Sequence, residues 1–152
     1  YPLNGNLDDP DLMKLLQRVD AFMPSEAEAE GLMPGYSPRA FCREIAARGP
    51  KIVVIKQGDH GATLYNREHN LLYQIRPYPA NVDDLTGAGD SFAGGFLGYL
   101  AEAGHTDLRQ AVIAGSSTAS FCVQDVGIGA LVELSREDIE SRIREFRELT
   151  SF

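Results

Sequence analysis

Apolar positions along the chain switch between a helical period and short continuous runs, with Gly and Pro punctuating the switches. Asp9 can cap a helix with Pro10 in its first turn, and Leu12, Leu15, Leu16 and Val19 form an apolar stripe. The run Ala21-Phe22-Met23-Pro24 reads as a buried strand that ends at the proline. Ser25 to Glu30 opens a short acidic helix ending near Gly31. Ser37 and Pro38 start another, which carries Phe41, Ile45 and Ala46 and stops at Gly49-Pro50. Ile52-Val53-Val54-Ile55 is a β-branched run suited to a strand covered on both faces in a parallel sheet. Ala62 to Tyr65 and Leu71 to Ile75 read as an antiparallel hairpin across a polar turn, and Pro77 and Pro79 end the strand pattern.

The second half is helical in period. A helix from about Gly87 to Glu102 carries Phe92, Phe96, Tyr99 and Leu100 on related faces. Its Gly94, Gly95 and Gly98 each cost about 1 kcal/mol against Ala, so a closely packed neighbour is expected. The Asp107–Cys122 helix, with Ala111, Ala114, Gly115 and Ala119, is that neighbour. Ser135 and Asp138 form an S-x-x-D start for a charged last helix ending near Leu149. Strands alternating with helices indicate an α/β layered fold. Without an internal repeat or low-complexity linker, residues 1–152 read as a single domain.

Composition narrows the partners. A net charge of −8 argues against nucleic acid, no run of 18 apolar residues spans a membrane, and no basic-then-apolar leader marks secretion. The expected location is the cytoplasm. Cys42 and Cys122 sit in predicted helices without zinc spacing and read as buried reduced thiols. His60, His69 and His105 lie near turns with no ligand spacing and read as surface residues. The opening Tyr1-Pro2-Leu3-Asn4-Gly5-Asn6, without an initiator Met, looks like the interior of a longer protein.

The candidate chemistry is concentrated in Asp84-Leu85-Thr86-Gly87-Ala88-Gly89-Asp90-Ser91-Phe92-Ala93-Gly94-Gly95. Gly87, Ala88 and Gly89 can present backbone N–H groups without obstruction, and a helix starting there adds its positive end. Asp90 places a carboxylate at the edge of this anion cradle, able to accept a proton from an attacking hydroxyl. That pairing suits phosphoryl transfer from a nucleotide to an alcohol. The stretch is neither a Walker A loop nor a G-x-G-x-x-G dinucleotide fingerprint, since no Gly-Lys-Ser/Thr follows and Phe92 stands at the third glycine position.

The stretch closely resembles the C-terminal signature of the ribokinase-like (PfkB) carbohydrate kinases, D-T-T-G-A-G-D-x-F-x-x-G. It matches at Asp84, Thr86, Gly87, Ala88, Gly89, Asp90, Phe92 and Gly95, with Leu85 replacing the first Thr. The resemblance implies a three-layer ribokinase-like α/β fold, here its C-terminal half, with a mostly parallel sheet flanked by helices. It implies transfer of the γ-phosphoryl group of ATP to a carbohydrate alcohol. Asp90 would act as base, Gly87, Ala88 and Gly89 as anion hole, and Asp84 with the Thr86 carbonyl would border a monovalent cation such as K+. Pro24-Ser25-Glu26-Ala27-Glu28 resembles the family's N-x-x-E element, in which Glu28 would hold Mg2+ through water; Ser25 stands in place of the Asn. Taken alone, Glu26 and Glu28 equally describe a solvated helix start.

Lys56-Gln57-Gly58-Asp59-His60-Gly61 resembles the family's T-x-G-x-x-G nucleotide element, with Lys56 for Thr, although a plain turn explains Gly58 and Gly61 as well. Val126-Gly127-Ile128-Gly129 resembles the V-T-x-x-G-A segment beside cation and nucleotide, Gly127 being equally readable as a helix stop. The expected partners are a nucleotide and a small sugar, with no nucleic acid or membrane. The residues that select the sugar, and the lid, belong to the family's other half. Exposed apolar surface would favour homo-oligomerisation or self-association. Two alternatives stand beside the sugar kinase: a nucleoside or vitamin-precursor kinase of the same fold, and a non-catalytic binding or assembly module.

Overall fold

Helix caps fix where the elements of this chain begin. The computed structural model describes residues 7–102, 104 and 106–150, so His105 and the opening Tyr1-to-Asn6 segment lie outside the described residues. The fold divides between Gln74 and Ile75 into two compact units.

In the first unit, α1 (Pro10–Leu16) starts where Asp9 accepts a hydrogen bond from the Asp11 N–H at 2.9 Å. Leu12 and Leu16 are buried, but Leu15 is exposed and Val19 falls beyond the helix, so the apolar stripe is narrower than its sequence suggests. The strand β1 (Ala21–Phe22) leads to α2 (Glu26–Leu32) and α3 (Pro38–Ala46), the latter capped by Ser37 Oγ accepting from the Ala40 N–H at 3.2 Å. The strands β2 (Ile52–Lys56), β3 (Ala62–Asn66) and β4 (Leu71–Ile75) complete a sheet ordered β1-β2-β3-β4, with a 3₁₀ turn at Gly58–His60.

β1 and β2 pair in parallel with Ala21 opposite Ile52, whereas β2 and β3 pair antiparallel with Val54 opposite Leu64. The expectation of a mostly parallel sheet therefore holds at β1–β2 and gives way at β2–β3. A parallel crossover needs a dozen or more residues, and residues 57–61 between β2 and β3 permit only reversal. β2 is nevertheless covered on both faces. Val53 and Ile55 join Leu16, Phe41 and Ile45 in the core, and Val54, pointing the other way, is also buried. Each such side chain contributes about 1.5–3 kcal/mol by leaving water. Burial pushes the Cys42 thiol up to about 12, which keeps it protonated and inert.

The second unit comprises α4 (Ala88–Ala101), α5 (Leu108–Cys122), a short α6 (Gly129–Val132) that the sequence pattern does not announce, and α7 (Arg136–Thr150). α4 and α5 pack closely at two glycines. A Cβ on Gly95 would lie 2.4 Å from Thr118 Oγ1, and one on Gly115 would lie 2.8 Å from the Phe92 carbonyl oxygen. Gly94 and Gly98 have nothing within 4 Å of that position, so close approach accounts for only one of the three α4 glycines. α7 begins with Ser135 and Asp138 bonded reciprocally, at 3.0 and 3.1 Å. Its Arg142 guanidinium lies 3.3 Å from the Phe121 ring centroid and 5.0 Å from that of Tyr78. The segment leading into the glycine-rich loop is thereby tied to α7. Among the described residues no helix is long and apolar enough to cross a membrane.

Candidate active site

The glycine-rich loop is organised by its own carboxylate and by the end of α5. Asp84 Oδ1 accepts from the Thr86 N–H at 2.9 Å. Bonds from the Thr86 backbone and hydroxyl, and from the Gly127 backbone, hold the Asp84 carboxyl below the usual carboxylate range. From the other side, the Val123 carbonyl accepts from the Asp83 N–H at 2.7 Å and the Asp84 N–H at 3.3 Å. The Cys122 thiol donates to the Thr86 carbonyl at 3.3 Å. The Val123 contacts occupy a carbonyl group that a helix end leaves without an intrahelical partner.

Gly87 then takes φ +80°, a left-handed conformation suited to glycine, and becomes the N-cap of α4. Its carbonyl accepts from the Ser91 N–H at 2.9 Å. The Ala88 N–H is turned to the Leu85 carbonyl at 3.2 Å, so this member of the expected anion hole is already engaged. The Gly89 and Asp90 N–H groups donate to no described carbonyl, as expected in the first turn of a helix. The Asp90 carboxylate is exposed and has no hydrogen-bond or ionic partner among the described residues.

Thr86, Gly87, Asp90 and Gly127 line one cavity of about 350 Å³, with Cys122 and Ser91 in its wall and Ile128 and Leu131 giving it an apolar side. Gly127, at φ +77°, is not the stop of α5, which ends at Cys122 with Val123 as its cap; it shapes the turn before α6. A larger cavity of about 770 Å³ runs along Gly94, Gly98, Ile143 and Arg144 and contains none of the candidate residues.

In the first unit, Ser25 and Glu28 form a capping box at the start of α2. Glu28 Oε2 accepts from the Ser25 N–H at 2.6 Å, and Ser25 Oγ accepts from the Glu28 N–H at 3.2 Å. The first of these bonds holds the Glu28 carboxyl below its ordinary value; partial burial opposes it, and the Lys56 charge reinforces it. Lys56 is brought there because its N–H donates to the Pro24 carbonyl at 2.9 Å and Ser25 bridges to it in parallel. The following turn has Gly58 at φ +54° and Gly61 at φ +84°, and a Cβ on Gly58 would meet nothing within 4 Å. Backbone conformation, rather than crowding, calls for a glycine at Gly58.

Sequence reasoning did not single out Gln57, which is nearly buried under the turn. Its Nε2 donates to Glu26 Oε1 at 3.0 Å and its Oε1 accepts from Thr63 Oγ1 at 2.7 Å. The S-x-x-E spacing of the capping box is visible in the sequence, whereas the Cys122–Thr86 contact spans 36 residues and has no local signal. Toward a magnesium ion, Glu28 fits an outer contact: Oε2 is held in the cap and Oε1 lies outside that box. Mg2+ retains several waters and uses few direct carboxylates, so a single side-chain oxygen meets its needs beside phosphate.

The profile of the pfkB family carbohydrate kinases matches residues 3–134. An ATP-dependent 6-phosphofructokinase from Thermoanaerobacterium thermosaccharolyticum is 28% identical over 138 residues, covering 91% of this chain and 41% of the relative. The ribokinase of Arabidopsis thaliana, solved with ribose and ATP, superimposes with a TM-score of 0.74 at 26% identity, covering 87% of this chain and 43% of that one. An E. coli protein assigned as ribokinase II, solved with ATP and Mg2+, gives a TM-score of 0.70 at 29% identity over 88% of this chain and 42% of its own. The chain thus spans less than half the length of these relatives. With a match that takes in both the Glu28 and Asp90 elements, the chain belongs to the pfkB family of carbohydrate kinases.

Proposed function

We propose that this chain is the nucleotide-binding and phosphoryl-transfer part of a longer ATP-dependent carbohydrate kinase. The observation that carries the reading is an uncommitted Asp90 carboxylate beside the open first turn of α4, where Gly87 leaves the approach unobstructed. Asp90 takes the proton of the acceptor hydroxyl as its oxygen bonds to the γ-phosphorus of ATP and the bond from that phosphorus to the β,γ-bridging oxygen breaks, releasing ADP; the proton then passes from Asp90 to solvent. The N–H groups of Gly89 and Asp90, joined by Gly87, face the negative charge on the transferring group; Ala88 contributes through the turn it closes with Leu85. Such preorganised donors need no reorientation at the moment of transfer.

Gly58 and Gly61 admit the nucleotide close to the backbone, and Lys56 supplies a positive charge to its phosphates. Gly127, which lines the same cavity as Asp90, borders the nucleotide as well. Mg2+ would be held through water by Glu28, neutralising phosphate charge. Asp84 and the Thr86 carbonyl offer hard oxygen donors to a monovalent cation such as K+. Leu85, Val126 and Ile128 are exposed at 68%, 75% and 70%, so the rim of the site is apolar and favours self-association of the isolated chain.

Isothermal titration with Mg·ATP, coupled to an ADP-release assay with sugars and nucleosides and to light scattering, tests this reading. Saturable Mg·ATP binding without efficient acceptor-dependent turnover is expected, because rate depends on holding both reactants in place. Absence of saturable binding would overturn the nucleotide site. Robust sugar-dependent turnover by a monomer would show that the chain is functionally complete.

A further inference from the structure

The geometry points to Cys122 as a positioning residue that aims the glycine-rich loop through the carbonyl of Thr86. This rests on the reading of that loop as an anion cradle, and it adds a residue outside the signature to the machinery that shapes it.

The Thr86 C=O and the Gly87 N–H belong to one peptide unit. That unit is planar and trans, so its C=O and N–H point in opposite directions. The thiol of Cys122 donates to the Thr86 oxygen at 3.3 Å, which draws the oxygen toward the end of α5 and sends the Gly87 N–H the other way. The control matters here because Gly87 has φ +80° and no side chain to resist rotation of the preceding peptide. A Cβ placed on Gly87 would lie 3.4 Å from Cys122 Sγ, so the sulfur also forms the wall behind the glycine.

The thiol does not act alone. The adjacent Val123 carbonyl holds the Asp83 and Asp84 N–H groups at 2.7 and 3.3 Å, and Asp84 in turn accepts from the Thr86 N–H at 2.9 Å. Asp83, Asp84 and the two ends of Thr86 are therefore fixed. Among these contacts, only the one from Cys122 restrains the peptide that carries the Gly87 N–H. Cys122 is 2% exposed and sits on the last turn of α5, whose backbone fixes where its side chain starts. Cys42, also buried, lies in the first unit and provides an internal comparison.

The experiment uses this chain and four variants: Cys122→Ala, Cys122→Val, Cys122→Ser and Cys42→Ala. Mg·ATP affinity is measured by titration, backbone order at Gly87 to Asp90 by the heteronuclear NOE in NMR, and thermal stability alongside. A thiol is a weak donor, so losing this bond corresponds to the low end of the usual contribution, about a two- to threefold change in an equilibrium constant. Cys122→Ala, which deletes the donor, and Cys122→Val, which keeps bulk without a donor, should weaken Mg·ATP binding by that range and lower the heteronuclear NOE at Gly87. Cys122→Ser should restore both toward wild type. Cys42→Ala should lower the melting temperature and change neither. Unchanged affinity and unchanged order at Gly87 in the Ala and Val variants would overturn the role, as would failure of Ser to recover either property. If the wild-type chain does not bind Mg·ATP, the cradle reading fails, and backbone order at Gly87 alone decides whether Cys122 positions the loop.

Discussion

Glu28 and Asp90 occupy the same place on two helices, each three residues after the N-cap, yet they meet different fates. In α2 the N-cap is Ser25 in extended conformation, and its N–H and hydroxyl close a reciprocal pair with Glu28. In α4 the N-cap is Gly87, left-handed and without a side chain, and Asp90 has no partner among the described residues. A helix start with a hydroxyl at its N-cap ties one oxygen of the acid into structure; one with a left-handed glycine leaves the whole acid and the first-turn N–H groups available. The same contrast extends to Asp84, whose carboxylate accepts bonds from Thr86 and Gly127. Of the three acids that the family resemblance marks, the uncommitted one is the acid to which the proposed proton transfer is assigned.

The largest expected effect falls on Asp90. In the longer kinase, Asp90→Asn should keep the fold and nucleotide affinity while lowering turnover by about 10²–10⁴-fold, the usual contribution of a general base. Steady-state kinetics would check this, and wild-type turnover in the variant would end the assignment. Next comes the N-cap itself. A β-branched residue is poorly accommodated at φ +80°, where the left-handed region alone costs about 1–2 kcal/mol. Gly87→Val should therefore weaken Mg·ATP binding about tenfold or more, with helical circular dichroism retained.

Smaller effects belong to α2. Ser25→Ala removes a cap oxygen and should cost about 1 kcal/mol in urea unfolding. It leaves the Glu28 carboxylate in place, so the Mg2+ dependence of ATP binding should stay as in wild type. Glu28→Gln should raise the Mg2+ requirement; identical Mg2+ dependence in both variants would reduce Glu28 to a capping residue.

The smallest effect is one of pH. Because the folded Glu28 carboxyl titrates below its ordinary value of 4.5, its cap contributes fully above that value. The contribution is lost as pH falls through the lower folded value. Thermal melts from about pH 6 down to about 3.5 should show a shallower decline for Glu28→Gln than for wild type.

Much of this arrangement is legible in the sequence because it is local. Asp9-Pro10 and Ser37-Pro38 announce two helix starts, and β-branched Ile52 to Ile55 announce the buried strand. The signature loop declares its acid and its need for glycine together, but not which glycine is left-handed: Gly87 has positive φ and Gly89 does not. The hidden features depend on contacts distant in sequence. The antiparallel β2–β3 pairing follows from the short reversal at residues 57–61, which outweighs the strand's parallel-sheet composition. Gly94 and Gly98 look like packing glycines, but α5 closes tightly only on Gly95. Gln57 reaches Glu26 across 31 residues, and Cys122 reaches Thr86 across 36, distances at which periodicity says nothing.

The central claim is that the open start of α4 receives phosphate. An NMR titration of this chain with Mg·ATP tests it most directly, with Gly87→Val as the comparison. Saturable shifts at the Gly87, Gly89 and Asp90 amides, lost or displaced to much higher ligand concentration in the variant, are the predicted result. Saturable binding that leaves those three amides unmoved, or that Gly87→Val does not weaken, would contradict the account.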